Sequence, residues 1–185
     1  EAALRTSLPG ARLVLEPVGK NSAPAIAAAC LLSPAEALVL VLPSDHHIAR
    51  PEAFLAAIET ARPRAEAGDI VTFGIEPDHA ATGYGYIEAG APRGEILEAK
   101  RFVEKPDRET AQGYLDAGGF YWNAGIFLFR ARVMIEALKA HAPDALGAAG
   151  AALPADAGES DIVRLDRAAF EAGPSISIDY AVMEK

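Results

Sequence analysis

Ala37-Leu38-Val39-Leu40-Val41-Leu42-Pro43-Ser44-Asp45-His46-His47 is the stretch on which the fold turns. Its apolar residues run without a break and then give way to proline and polar side chains. Strands buried on both faces of a parallel sheet have this continuous apolar character, whereas half-exposed strands alternate. Ligands of open α/β sheets bind beyond the carboxyl ends of such strands. Two other stretches end in the same way: Arg101-Phe102-Val103 runs into Glu104-Lys105-Pro106, and Ser175-Ile176-Ser177-Ile178 runs into Asp179. Acids and an acid–lysine pair gathered at such ends point to a site for a phosphorylated, metal-bound ligand.

Around this run the pattern alternates. Leu13-Val14-Leu15 is a short strand that ends in Glu16-Pro17. Ser22 is placed to cap a helix over residues 23–32, with Pro24 in its first turn. The strand at 37–42 follows. Pro51 opens a second helix with Phe54, Leu55 and Ile58 on one face, which Pro63 should kink or end and Gly68 should stop. Residues 70–75 are another β-rich run. The order β, α, β, α, β is that of a parallel sheet wrapped by helices. Further on, residues 84–87 and 96–103 read as strands joined through 90–94, a hairpin. Asp107 caps a short helix that ends near Gly118-Gly119. Residues 126–129 form a strand within 120–130, and 132–140 are helical. Residues 144–170 are alanine-rich and helix-prone, broken by Pro154 and Gly158. With no repeat and no linker, a single domain over 1–185 is expected.

Of the 185 residues 51% are hydrophobic and 23% charged, enough for a real core. Seventeen basic against 26 acidic residues give a net charge of −9, with no run of Lys or Arg. This argues against nucleic-acid binding, which needs a basic stripe. Cys30 is the only cysteine, so an intramolecular disulfide is excluded, and it reads as a small buried residue of an alanine-rich helix. No apolar stretch approaches the ~20 residues that span a bilayer. A charged segment followed by an apolar one, as in a secretory signal, is not seen, so a cytoplasmic setting is expected. The chain opens on Glu1 rather than Met, as a piece of a longer protein would.

Several polar groups carry chemistry, each with a plainer alternative. Glu16-Pro17-Val18-Gly19-Lys20-Asn21-Ser22-Ala23-Pro24 is a polar turn before a helix. A helix N-terminus suits a phosphate or a purine edge, although ordinary βα turns look alike. Asp45 is a good hard-cation ligand or, equally, a loop acid. His46 and His47 are adjacent and lack partners of zinc-site spacing. In Thr82-Gly83-Tyr84-Gly85-Tyr86, glycines admit a ligand to the main chain and tyrosines can stack on sugars, or the stretch is simply a turn. Glu104 and Lys105, on an extended chain, point to opposite faces and need not pair. One could then hold sugar hydroxyls and the other a phosphate, or the two are a surface charge pair at a strand end. Asn123, in Trp122-Asn123-Ala124-Gly125, can both donate to and accept from vicinal hydroxyls. Asp179 in an apolar segment binds metal or begins a helix.

In this order, Glu16-Pro17 through Pro24, Leu42 to His46, Phe73-Gly74-Ile75, Thr82 to Ile87, Phe102 to Asp107, Trp122 to Phe129 and Ser177 to Lys185 resemble bacterial mannose-1-phosphate guanylyltransferases of the sugar-nucleotidyltransferase family. The resemblance spans nearly the whole chain, with Lys20, Ser22 and Ala124 standing for the family's Arg, Thr and Ser. It implies an α/β fold with a Rossmann-like mixed, mostly parallel sheet flanked by helices. It implies transfer of GMP from GTP to mannose 1-phosphate, giving GDP-mannose and pyrophosphate. It implies that Asp45 and Asp179 hold Mg²⁺, meeting in the folded molecule, and that Glu16, Pro17 and Asn21 lie on the nucleotide side. Gly85, Glu104, Lys105 and Asn123 then surround the sugar phosphate, with Asp45, Lys105 and Asp179 catalytic. The family's glycine-rich loop is not among these residues. The expectation is therefore an N-terminally incomplete domain that is inactive alone, with sheet edges that favour association as a homo-oligomer. A sugar-nucleotide sensor, a nucleotidyltransferase for another sugar phosphate, and a glycosyltransferase are the alternatives. The last usually carries Asp-x-Asp, where this chain has Asp45-His46-His47.

Overall fold

The structure, a computed structural model, describes residues 10–185. In chain order its elements are β1 (Leu13–Leu15), α1 (Ser22–Leu31), β2 (Leu38–Val41), α2 (Pro51–Glu66), β3 (Val71–Ile75), β4 (Tyr86–Arg93), β5 (Ile96–Val103), α3 (Arg108–Ala117), β6 (Phe120–Arg130), α4 (Ala131–His141), α5 (Pro143–Ala151), β7 (Ile162–Arg164), α6 (Arg167–Ala172) and a π-helical turn at Asp179–Met183. They fall into two compact units, one made of residues up to 35 together with 134–183, the other of residues 36–133. Among the described residues no helix is long and apolar enough to cross a membrane.

The first unit sets two alanine-rich helices beside larger buried side chains, among them Met134, Leu138, Phe170 and Ile178. In α1, Ala23, Ile26, Ala27, Ala28 and Cys30 are buried, and in α5 Ala145 and Ala149 are buried. These two alanine-rich helices pack on each other. Burial pushes the Cys30 thiol up to about 12, so it stays protonated as a small apolar residue. Beside them β1 and β7 form a parallel pair, with Leu13 opposite Ile162 and Leu15 opposite Arg164. The strand at 162–164 is not legible in the sequence, because three residues between alanine-rich helices leave no pattern of their own.

The second unit is a sheet organised by β6. β2 and β3 both run antiparallel to it, from Leu38 opposite Arg130 to Val41 opposite Phe127 and from Val71 opposite Leu128 to Ile75 opposite Trp122. β4 pairs antiparallel with β6 through Tyr86 and Trp122, and with β5 in the expected hairpin. The α/β class and the mixed, helix-flanked sheet are borne out. β2 and β3 do run parallel to each other, as the βαβ order requires, but they flank β6 instead of pairing, and every ladder of this unit is antiparallel. A strand from later in the chain occupies the place between them. On one face α2 covers the sheet: Ala61 and Ala65 meet Leu128, with Leu38, Leu40, Ile58, Val71 and Phe73 around them. Phe54 of α2 meets the Phe73 ring edge-on at 6.0 Å.

Three local expectations are corrected. α1 begins at Ser22, one residue early, because Asn21 is its cap: the Asn21 side chain accepts from Ser22 N–H at 2.8 Å. α2 runs through Pro63 to Glu66. Pro63 is exposed, so water can satisfy the carbonyl that its missing N–H leaves open. β4 begins at Tyr86, two residues late, and continues past Pro92, around which its register with β5 shifts. As expected, Asp107 caps α3 by accepting from Thr110 N–H at 2.8 Å.

Leu128 stands where α2 meets β6 in the larger unit. Leu128→Ala should cost about 2–5 kcal/mol of stability, read as a lowered urea midpoint at unchanged slope.

Candidate functional site

In the first unit the turn after β1 carries Glu16, Pro17, Lys20 and Asn21. The Glu16 carboxyl is pushed above its ordinary value by desolvation, although the residue as a whole is exposed. The Pro17 carbonyl accepts from Arg167 Nη2 at 3.2 Å. Asn21 has φ 66° and ψ −169°, a conformation that only glycine adopts without strain. The start of α1 is partly spoken for by the protein itself: Asn21 Oδ1 takes Ser22 N–H, the Ile176 carbonyl takes Ala23 N–H at 3.1 Å, and Pro24 has no N–H to give. Ser22, no cap, has a different task. Its hydroxyl accepts from Ile178 N–H at 2.9 Å. Asp179 comes next, half-buried between buried Ile178 and exposed Tyr180, at the head of the π-helical turn. π-Helical turns recur at functional sites. The structure thus joins the turn carrying Glu16, Pro17 and Asn21 to the segment carrying Asp179 in one hydrogen-bonded assembly.

In the second unit Gly85, Glu104, Lys105 and Asn123 come together. The Gly85 carbonyl accepts from Asn123 N–H at 2.8 Å. A Cβ on Gly85 would lie 2.7 Å from Glu104 Oε2 and 3.5 Å from Asn123 Cβ, so only glycine leaves the Glu104 carboxylate where it is. Glu104 and Lys105 pair, as a surface charge pair at a strand end would, with Nζ 2.6 Å from Oε1, instead of pointing to opposite faces. The chain is not extended there: Lys105 has φ 45°, which turns its side chain back towards its neighbour. Asn123 Oδ1 accepts from Gly125 N–H at 3.0 Å and from Thr72 Oγ1 at 3.3 Å.

Two supports escaped the sequence reading. Thr72 buttresses Asn123 from β3, fifty-one residues away, a contact with no local signal. Tyr86 was read as a sugar-stacking candidate, yet it is fully buried. Its hydroxyl accepts from Ala81 N–H and donates to the Ala81 carbonyl, both at 3.0 Å. It therefore ties down the loop that ends at Gly85. Tyr84, half exposed, and His79 both meet the Trp122 ring edge-on, at 5.1 and 4.8 Å between centroids.

Asp45 lies in an exposed turn after β2, in the same unit as this cluster, with His46 and His47 exposed beside it. Asp45 and Asp179 belong to different units. Among the described residues no three His, Cys, Asp or Glu side chains form a metal-holding group. A carboxylate such as either of these is a hard-oxygen donor of the kind Mg²⁺ takes from protein, with phosphate and water supplying the rest.

The profile of the nucleotidyl transferase family matches residues 9–166. The chain belongs to that family. This nucleotidyl transferase chain is 51% identical over 176 residues to the xanthan biosynthesis protein XanB of Xanthomonas campestris pv. campestris (strain B100). It is 50% identical over 183 residues to the mannose-1-phosphate guanylyltransferase of Escherichia coli (strain K12). In both cases 94% of this chain matches 38% of the relative, so it spans little more than a third of their length. The solved structure of a mannose-6-phosphate isomerase from Helicobacter pylori is similar at a TM-score of 0.84 and 39% identity, over 93% of this chain and 67% of that one.

Two outcomes follow from the turn. Asn21→Ala keeps the strained backbone and loses the cap, and should cost about 1–3 kcal/mol. Asn21→Gly relieves the strain and should cost only a few tenths, both read by thermal melting. Because desolvation raises the Glu16 pKa above 4.5 in the folded protein, its contribution to stability is complete below pH 4.5 and lost as pH rises through the folded value. Glu16→Gln should therefore match the wild type in acid and be the more stable at pH 7, as denaturation across that range would show.

Proposed function

We propose that the full-length protein containing this chain transfers GMP from GTP to mannose 1-phosphate, forming GDP-mannose and releasing pyrophosphate. The observation that carries this is the convergence of Gly85, Glu104, Lys105 and Asn123 in one unit, on a family of nucleotidyl transferases whose Escherichia coli member is a mannose-1-phosphate guanylyltransferase.

The roles follow from the chemistry of the groups. The Glu104 carboxylate accepts hydrogen bonds from vicinal sugar hydroxyls, and Asn123 offers an amide beside it. Lys105, paired with Glu104 in the free protein, is within reach of an incoming sugar phosphate and gives it a positive partner. Glu16 accepts from a purine's ring N–H and exocyclic amine together, with Pro17 and Asn21 shaping that turn. A phosphate oxygen of mannose 1-phosphate attacks the α-phosphorus of GTP, and the bond to the pyrophosphate oxygen breaks. The nucleophile is already an anion, so the protein supplies position and charge balance in place of a general base. Asp45 and Asp179 are the carboxylates offered as ligands for a divalent cation, Mg²⁺, which when bound would draw charge from the phosphates.

The full-length protein, given GTP, mannose 1-phosphate and Mg²⁺, should release pyrophosphate and GDP-mannose in equal amounts. Binding of GDP-mannose with no turnover, or turnover with a different sugar phosphate in preference, would overturn the reading. In the same assay Gly85→Ala should raise the KM for mannose 1-phosphate on the order of tenfold, by displacing the Glu104 carboxylate from a charge-assisted hydrogen bond. The melting temperature should stay near that of the wild type, because the displaced atom is the free end of a side chain.

A further inference from the structure

Lys20 is a cation in the nucleotide-side turn, yet its ammonium is committed inside the protein. Nζ donates to the carbonyls of Glu171 at 2.8 Å and Gly173 at 2.7 Å. These lie at the end of α6, where orphan carbonyls and the helix dipole favour a cation. The same stretch is fastened to the turn three more times. Ile176 N–H donates to the Lys20 carbonyl at 3.2 Å, Ala23 N–H to the Ile176 carbonyl at 3.1 Å, and Ile178 N–H to Ser22 Oγ at 2.9 Å. The far end is anchored as well. Gly173 sits so close to α5 that a Cβ on it would be 2.5 Å from Ala148 Cβ. Strained backbone persists only where its surroundings over-determine it. Asn21, at φ 66°, is held on one side by both the ammonium and the carbonyl of Lys20 and on the other by the hydroxyl of Ser22.

We propose that Lys20 is a positioning residue: its ammonium straps residues 171–178 to the Asn21 turn and so sets the place from which Asp179 presents its carboxylate to a divalent cation. This rests on the nucleotidyl-transfer reading above. Ile178 is fixed to Ser22 and Asp179 is the next residue, so slack in the strap reaches the carboxylate directly. Groups that orient a metal-binding side chain typically govern affinity by 10–100-fold.

The test uses the full-length protein and the variants Lys20→Met, which keeps the stem and loses the ammonium, and Lys20→Arg, whose two-pronged donor can restore both carbonyl bonds. Amide exchange across residues 176–181 is measured without nucleotide or metal, and the Mg²⁺ requirement and the KM for mannose 1-phosphate are measured in turnover. Lys20→Met should exchange on the order of tenfold faster in that segment and need roughly 10–100-fold more Mg²⁺. Its KM for mannose 1-phosphate should not change, and Lys20→Arg should recover both properties. An unchanged Mg²⁺ requirement in an active protein, or both constants rising together, overturns the strap. An inactive wild type sinks the transfer reading instead. The exchange measurement then decides the strap alone, and unchanged exchange in Lys20→Met overturns it.

Discussion

The backbone ladders of β6 are the constraint on which the larger unit depends. β2, β3 and β4 each pair with this strand, and only the β4–β5 hairpin ladder lies outside it. Side chains alternate along a strand, so a one-residue slip would carry Asn123 to the opposite face and put Trp122 or Ala124 in its place. The register that prevents this is fixed at Trp122, which stands opposite Tyr86 on one side and Ile75 on the other. The Gly85 carbonyl then meets Asn123 N–H, and Glu104, just past the end of β5, closes on the same point. Packing of Leu128 under α2 is downstream of that register.

The smaller unit solves a different problem. Where α1 meets α5 the buried side chains are small, so contact there depends on backbones approaching closely, which alanine and glycine permit. Alanine-rich α1 and α5 do this, and Gly173 extends the same close packing to the segment before Asp179. A chain with net charge −9 has little general attraction for polyanions. Any handling of phosphates must therefore be local. Near candidate site residues lie Lys105 beside Glu104, Arg167 on the Pro17 carbonyl and Lys20 on helix-end carbonyls.

Much of this was legible in the sequence because the signals were local. The apolar run before Asp45, the Asp107 cap and the β4–β5 hairpin each follow from neighbours in the chain. What was not legible depends on partners far away. The insertion of β6 between β2 and β3 is a tertiary choice that a βαβ pattern cannot display. Ser22 looks like a cap by residue type, but Asn21 tolerates the unusual backbone better and takes that position, freeing the Ser22 hydroxyl for Ile178. The extended backbone expected at Glu104–Lys105 fails for a similar reason, since a positive φ at a lysine is not written in the residue type. Gly85, Glu104, Lys105 and Asn123 each stand out singly in the sequence, but the contacts that gather them, through Thr72 and Tyr86, span the fold.

The protonated thiol of Cys30, sealed in α1, has a practical side. It is the one cysteine of the chain, fully buried, and its pKa of about 12 leaves almost no thiolate at neutral pH. Thiol reagents attack the thiolate, so the native chain is nearly silent towards them. A cysteine introduced on the exposed rim, at Tyr84 for instance, could carry a fluorophore or spin label against a clean background.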